Sequence, residues 1–155
     1  MRKYDKRVWL LAWNKDNWFW DHYSDKCVKT QKGQTVMESW SCLNTNPKLG
    51  DEVFMIKLGE QPRCLIGHGH VIRESYENEH YGDVKSSEGK KIHYIDVEFD
   101  RLLDYEKEEC VSQDELNAKC SAQHWSPQSS GIEIKPEVLP ALYTLWDAVT
   151  RDNER

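Results

Sequence analysis

Several tryptophan residues and one asparagine lie close together in this sequence, and these residue types are suited to binding a flat, hydrogen-bonding ligand. Trp13 is followed directly by Asn14, Trp18 and Trp20 come shortly after, and Trp40 precedes the longest apolar stretch. Indole rings on two sides of a ligand can sandwich a planar base, which contributes ~1–3 kcal/mol per stacked base. A carboxamide offers both a donor and an acceptor to a base edge. We therefore predict a base-binding cage of Trp13, Trp18 and Trp40 with Asn14 at the base edge, while Trp20 is either a cage wall or a core residue.

A second group of side chains is suited to the backbone of a nucleic acid. Neutral hydrogen-bonding groups occur together at Gln128, Ser129 and Ser130. Cations are concentrated in residues 1–35, where eight basic and four acidic side chains give +4. The basic residues predicted to contact phosphates are Lys15, Lys26, Lys29 and Lys32.

The net charge of −6 argues against nucleic acid at first sight, but the charge is unevenly distributed. Residues 96–115 carry nine acidic and two basic side chains, giving −7. A chain with one basic and one acidic side can bind a polyanion on the basic side. Ordinary solvated surface charge is the alternative reading.

Other chemistries find little support. Cys64, His68 and His70 have even spacing on one strand, but no further ligand is evident nearby to complete a metal site. The chain contains no G-x-S-x-G, Walker-type or H-E-x-x-H motif. We therefore predict no catalytic residues, no metal and no cofactor. The five cysteines include no C-x-x-C pair, which favours reduced thiols.

The elements that must position these residues are strands around one hairpin. Residues 52–58 and 63–72 are apolar runs separated by Gly59-Glu60-Gln61-Pro62, a connection suited to a hairpin loop. Gly67 and Gly69 lie two apart in the second run, and glycines in a strand indicate a bend or a close approach of another element. Further strands are predicted at residues 6–13 and 92–100, with a long polar connection at residues 74–91.

Helices are predicted only towards the carboxyl end. Ser112 with Glu115 three residues later indicates a helix cap, followed by a short helix over residues 113–120. Helical spacing of apolar residues predicts a final helix over residues 137–149, with a frayed polar tail at 150–155. Trp9 is expected in the core, and Trp40, which lies among small polar residues, is expected to be semi-exposed. The result is a single α+β domain, residues 1–155, around a small and mostly antiparallel barrel-like sheet.

No apolar run is long enough to span a bilayer, and residues 1–7 lack the apolar core of a signal peptide. We expect a cytoplasmic protein without a membrane partner.

Several of these motifs together resemble a known family. They are Trp13-Asn14, Trp18-x-Trp20, Trp40-Ser41-Cys42, the stretch GDEVFMIKLGEQPRCLIGHGHV over residues 50–71, and HWSPQSSGI over residues 124–132. The chain is similar to the EVE domain of the PUA-like superfamily over about residues 7–149. The resemblance is greatest to the amino-terminal modules of modification-dependent HNH restriction endonucleases. Leu43 and Cys64 stand where the resemblance implies glycine.

The resemblance implies an EVE-type pseudo-barrel with peripheral helices and a cage for a flipped, modified base such as 5-methylcytosine. Ser41 and Tyr81 complete the predicted cage. The expected function is a non-catalytic reader of modified DNA that serves restriction, with a nuclease domain or subunit as partner. A reader of modified RNA, as in the related YTH modules, is the alternative. A nucleoside amidohydrolase of the related ASCH type is less favoured, because the G-x-K-x-x-E-x-R signature is absent.

Overall fold

A computed structural model describes residues 6–79 and 91–153 of the chain. The order of elements is β1 (Val8–Asn14), α1 (Tyr23–Gln31), β2 (Val36–Ser41), β3 (Glu52–Leu58), β4 (Cys64–Glu79), β5 (Lys91–Leu102), β6 (Val111–Ser112), α2 (Gln113–Lys119), β7 (Ile132–Glu133), a 3₁₀ turn (Pro136–Val138) and α3 (Leu139–Asn153). No helix in the described ranges is both long and apolar enough to cross a membrane.

The strands form one sheet in the order β2-β5-β4-β3-β1-β7, with β6 paired to β4. Strands β1 and β3 are parallel, and the other described pairs are antiparallel. The predicted α+β class with a mostly antiparallel sheet is therefore confirmed.

The hairpin of β3 and β4 occupies the centre of the sheet. A Cβ atom at Gly69 would lie 2.3 Å from the Glu98 backbone oxygen of β5, so the predicted close approach is confirmed. The β4–β5 register shifts between His68 and Gly69 and again further along the pair, as expected where a sheet bends. Strand β4 continues to Glu79, so the prediction of an irregular connection from residue 74 is wrong for residues 74–79, and residues 80–90 lie outside the described ranges.

Alternation along β1 places its side chains in two separate cores. Trp9, Leu11 and Trp13 pack in a cluster with residues of α1, whereas Val8 and Leu10 pack in a cluster with residues of α2 and α3. The sheet is thus covered on both faces. Trp9 is 1% exposed, which confirms the prediction that it belongs to the core.

Helix α1, strand β2 and the short strands β6 and β7 were not predicted from the sequence. The cap before α2 is confirmed, because the Ser112 hydroxyl accepts a hydrogen bond from the Glu115 backbone N–H at 3.1 Å. Helix α3 continues to Asn153, four residues beyond its predicted end at residue 149.

Candidate functional site

Three of the sequence motifs, far apart in the chain, meet around one cavity of about 390 Å³. It lies where β1 and β2 end and β5 begins. The residues that line this motif pocket are Ala12, Asn14, Asn17, Ser41, Cys42, Leu43, Leu58, Ile92, His93, Pro127, Gln128, Ser129 and Ser130. A volume of a few hundred Å³ is typical of sites for small organic ligands.

The loop before β7 holds the motif pocket together. The Ser130 hydroxyl accepts a hydrogen bond from the Ala12 backbone N–H at 3.1 Å. The Ser130 backbone oxygen accepts another from the Leu43 N–H at 2.8 Å, and the Gly131 N–H donates to the Leu10 oxygen at 3.0 Å. One short loop thereby fixes the end of β1 against the loop that follows β2.

Gly131 is required at this junction for two physical reasons. Its φ of +103° lies in a region that residues with a side chain rarely adopt, and a Cβ atom there would lie 2.5 Å from Cys42 Sγ. The glycine of the PQSSGI motif therefore permits the contact between the two motif-bearing loops.

Asn14 lies exposed at the last position of β1, on the pocket side. Its Oδ1 accepts a hydrogen bond from the Asp16 backbone N–H at 3.0 Å. A Cβ atom at Gly59 would lie 2.5 Å from the same oxygen, so the loop between β3 and β4 passes directly against this carboxamide. The turn thus orients the side chain, and the Nδ2 amide group is the donor that can face a ligand.

The tryptophan rings predicted as a cage are packed against one another instead. Ring centroids are 5.2 Å apart for Trp13 and Trp20 and 4.5 Å apart for Trp20 and Trp40. Trp13, Trp20 and Trp40 are 3%, 1% and 5% exposed, whereas Trp18 is 45% exposed. The prediction of a semi-exposed Trp40 is therefore wrong, and Trp20 is a core residue.

The physical reason is the alternation of the strand. Ala12 and Asn14 line the motif pocket, so Trp13 between them belongs to the opposite face of β1. The Trp40 indole N–H donates to the Ala12 oxygen at 3.0 Å and the Trp13 N–H donates to the Trp18 oxygen at 2.9 Å. These rings support the strand and loop that carry the pocket residues, and their faces are not open to a ligand in this structure.

The predicted phosphate contacts divide into two sets. Gln128, Ser129 and Ser130 line the motif pocket, as does the predicted cage residue Ser41. Lys15 follows Asn14 directly and forms an ion pair with Glu60 at 2.9 Å. Tyr81 lies outside the described residues.

The lysines of α1 lie elsewhere. The hydroxyl of Thr30 in α1 donates to the Leu102 oxygen at 3.2 Å, at the far end of β5 from His93 in the pocket. Nine residues of strand correspond to about 30 Å. Lys26 is paired with Glu38 at 2.5 Å. Glu38 is three residues along β2 from the pocket residue Ser41, so Lys26 lies nearer the motif pocket than Thr30 does, although none of Lys26, Lys29 and Lys32 lines it.

The motif pocket is lined mainly by uncharged polar and apolar side chains. Among the described lining residues none carries a carboxylate or an ammonium group. Burial raises the pKa of the Cys42 thiol to about 11, so the sulfur is uncharged near neutral pH and is a poor nucleophile. Besides the His93 imidazole, the lining offers amides, hydroxyls and the Cys42 thiol, together with the apolar side chains of Leu43, Leu58, Ile92 and Pro127.

Eight of these lining residues were not among the predicted site residues. They are Ala12, Asn17, Cys42, Leu43, Leu58, Ile92, His93 and Pro127. Leu43 directly follows the Trp40-Ser41-Cys42 motif, so proximity to the motif was an available signal. Leu58 and Ile92 are brought in only by the sheet topology, which no local pattern reveals.

Of the three residues considered for a metal, the two histidines form ion pairs with carboxylates. His68 Nε2 lies 2.6 Å from Glu52 Oε2, and His68 Nδ1 lies 2.9 Å from Asp100 Oδ1. Burial lowers the pKa of His68, but hydrogen bonds to Asp100 and Glu52 outweigh it and raise the pKa to about 9. The imidazolium therefore bridges two carboxylates, and the described residues contain no group of three or more potential metal ligands.

No family model and no curated protein matches the chain, but solved structures do. A hypothetical protein from Leishmania major is 15% identical with a TM-score of 0.66, and the match covers 92% of this chain and 96% of that one. Human THYN1 protein, solved in complex with DNA containing 5-methylcytosine, is 15% identical with a TM-score of 0.60, covering 90% of this chain and 97% of that one. The Mmi1 YTH domain, solved in complex with RNA, is 12% identical with a TM-score of 0.53, covering 95% and 81% respectively. The chain therefore shares its fold with these solved structures.

Proposed function

We propose that this chain is a non-catalytic module that binds a modified base of the 5-methylcytosine type in DNA, and that the base enters the motif pocket. The observation that carries the proposal is the convergence of Asn14, Ser41 and Ser130, from three separate motifs, on one cavity of about 390 Å³. The shared fold with human THYN1, solved with 5-methylcytosine DNA, supports it.

The chemistry of the lining suits a neutral methylated base. The side-chain amide NH₂ group of Asn14 can donate to a ring nitrogen or a carbonyl oxygen of a pyrimidine. Gln128 carries both donor and acceptor groups. The apolar side chains of Leu58 and Ile92 can accommodate a methyl group, whose burial is favourable by about 0.8 kcal/mol per carbon. A base must leave the duplex to enter such a cavity, which costs a few kcal/mol and is repaid by these contacts.

A reader of modified RNA is the second candidate, supported by the shared fold with the Mmi1 YTH domain solved with RNA. The experiment that separates the two is a direct competition between modified DNA and RNA of matched sequence. Preference for the RNA would overturn the assignment to DNA.

The proposal is tested by measuring the affinity of the protein for methylated, hydroxymethylated and plain duplexes of one sequence. We expect the modified duplexes to bind at least tenfold more tightly than the plain one. Equal affinity for all three would contradict the proposal.

The biological role that we propose is modification-dependent restriction, with a nuclease acting as a linked domain or a separate subunit. The test is the coding sequence around this chain together with a copurification experiment. A nuclease that is encoded beside this chain and copurifies with it supports the role. A coding region without a nuclease, together with copurified material without one, would count against the role.

A further inference from the structure

Leu43 is an apolar side chain held out into solvent at the rim of the motif pocket. It is 69% exposed and contributes to the pocket lining. Its immediate neighbours along the chain are Cys42, which is fully buried, and Asn44, which is polar. An isolated exposed leucine is ordinary on a protein surface. A role for Leu43 therefore depends on its position beside the pocket and on the hydrogen bonds that fix its backbone.

The backbone under Leu43 is fixed from both sides. The Leu43 N–H donates to the Ser130 oxygen at 2.8 Å, and the Cys42 N–H donates to the His93 oxygen at 2.9 Å. The Cys42 thiol donates to the Asn44 oxygen at 3.3 Å, and the Asn44 side chain accepts from the Asn46 N–H at 2.9 Å. The loop therefore presents Leu43 from a hydrogen-bonded base rather than from a flexible tip.

We infer that Leu43 is a wedge that enters the base stack of a double helix at the place that the extruded base has left. This inference rests on the proposed function. A base that enters the motif pocket leaves a gap at the mouth of the pocket, and Leu43 lies at that mouth. Apolar side chains inserted between base steps are a common means by which proteins hold deformed DNA.

The wedge specifies the substrate as a duplex. A single strand has no opposing stack to close behind the extruded base, so Leu43 has nothing to replace there. The pocket contacts of Asn14 and Ser130 are the same for both substrates. Leu43 therefore contributes to duplex affinity and not to single-strand affinity.

The experiment measures fluorescence anisotropy with a 5-methylcytosine duplex and with its modified single strand, for the wild-type protein, Leu43→Ala and Leu49→Ala. The plain duplex and the plain single strand are measured with the wild-type protein for comparison. Leu49 is the matched control, because it is 62% exposed in the same loop but does not line the motif pocket. We expect Leu43→Ala to bind the duplex about tenfold more weakly, since the wedge loses most of its buried apolar surface. We expect single-strand affinity to change less than about twofold, and Leu49→Ala to match the wild type on both probes.

Three results would overturn the wedge. Unchanged duplex affinity of Leu43→Ala would show that the side chain does not enter the stack. Equal losses on the duplex and the single strand would make Leu43 a wall of the pocket only. A loss as large in Leu49→Ala would indicate a general apolar contact of the loop. A wild-type protein that does not distinguish modified from plain probes would instead refute the proposed function, and the wedge with it.

Discussion

Trp13 and Asn14 are consecutive residues that belong to opposite faces of strand β1. The Trp13 ring is 3% exposed in the core that α1 covers, and Asn14 lines the motif pocket on the other side of the strand. The pair therefore separates two roles, one in stability and one in binding. Substitutions at the two positions should affect different measurements.

Replacing Asn14 by aspartate should abolish preference for the modified base with little loss of stability. The Asp side chain keeps an oxygen that can accept from the Asp16 N–H, which preserves the turn. It replaces the Nδ2 donor by a negatively charged acceptor, which repels the acceptor atoms of a base and the nearby phosphates. We expect at least tenfold weaker binding of the modified duplex and a change in unfolding free energy below about 1 kcal/mol. Binding isotherms and urea unfolding test this, and undiminished preference would place the base elsewhere.

The buried tryptophans should differ in what their indole N–H groups contribute to stability. The Trp40 N–H donates to the Ala12 oxygen, whereas the Trp20 N–H has no hydrogen-bond partner among the described residues. Both Trp40→Phe and Trp20→Phe leave a cavity, but only the first also orphans a backbone oxygen. We expect Trp40→Phe to lower the unfolding free energy by about 1 kcal/mol more than Trp20→Phe does. Equal losses in denaturant unfolding would show that the Trp40 hydrogen bond contributes little.

Stability should fall as pH rises from about 6.5 to about 9. The folded state raises the pKa of His68 to about 9 from an ordinary 6.5, so the folded protein binds the proton more tightly than the unfolded chain does. The stabilisation is complete below the unfolded pKa and is lost as pH rises through the folded pKa. The difference between the folded and unfolded pKa of His68 corresponds to a loss of about 3 kcal/mol in unfolding free energy over this pH range.

The groups that face His68 are Glu52, Asp100 and His70, and Tyr143 donates to Glu52. Urea unfolding across this pH range should show the slope in the wild type and lose it in His68→Gln. His70→Gln is the control, because His70 is more exposed and lies 4.0 Å from Asp100. A slope that persists in His68→Gln would assign the titration to another group.

The salt dependence of DNA affinity should change when Lys15 is replaced and should not change when the lysines of helix α1 are replaced. Lys15 directly follows the pocket residue Asn14 in the chain, and its ammonium group lies 2.9 Å from Glu60 and 5.8 Å from the Tyr105 ring, while Lys29 and Lys32 lie on a helix that contacts the far end of β5. Each phosphate neutralised contributes about −0.9 to the slope of log K against log salt. We expect Lys15→Ala to reduce the slope by about one and the triple variant of Lys26, Lys29 and Lys32 to leave it unchanged. A reduced slope in the triple variant would mean that DNA extends over α1.

Local patterns predicted the parts of the fold that local physics determines. The β3–β4 hairpin follows from two apolar runs around a Gly and Pro turn, and the start of α2 follows from the Ser112 cap. Helix α1 was missed because its sequence, YSDKCVKTQ, is mostly polar and buries only Tyr23, Cys27 and Thr30. Those three positions have helical spacing, but two of them carry hydroxyl groups, which made the apolar stripe hard to recognise.

The candidate site was predictable as a set of motifs but not as a geometry. Asn14 and Ser130 could be chosen from the sequence as neutral hydrogen-bonding groups, whereas Ser41 came from the family resemblance. The burial of Trp40 depends on β2 pairing with β5 and on its hydrogen bond to Ala12, which are contacts between distant segments. The wrong exposure expected for Trp40 came from its polar neighbours in sequence, which alternate to the other face of the strand.

The most direct test of the central claim is to locate the methyl group of the bound base. A duplex with a ¹³C-labelled methyl group on one 5-methylcytosine can be bound to the protein, and nuclear Overhauser contacts from that methyl group can be assigned. The motif pocket predicts contacts to the methyl groups of Leu58 and Ile92. Contacts to the ring of Trp18 alone, or a methyl group that remains within the DNA stack, would contradict the account.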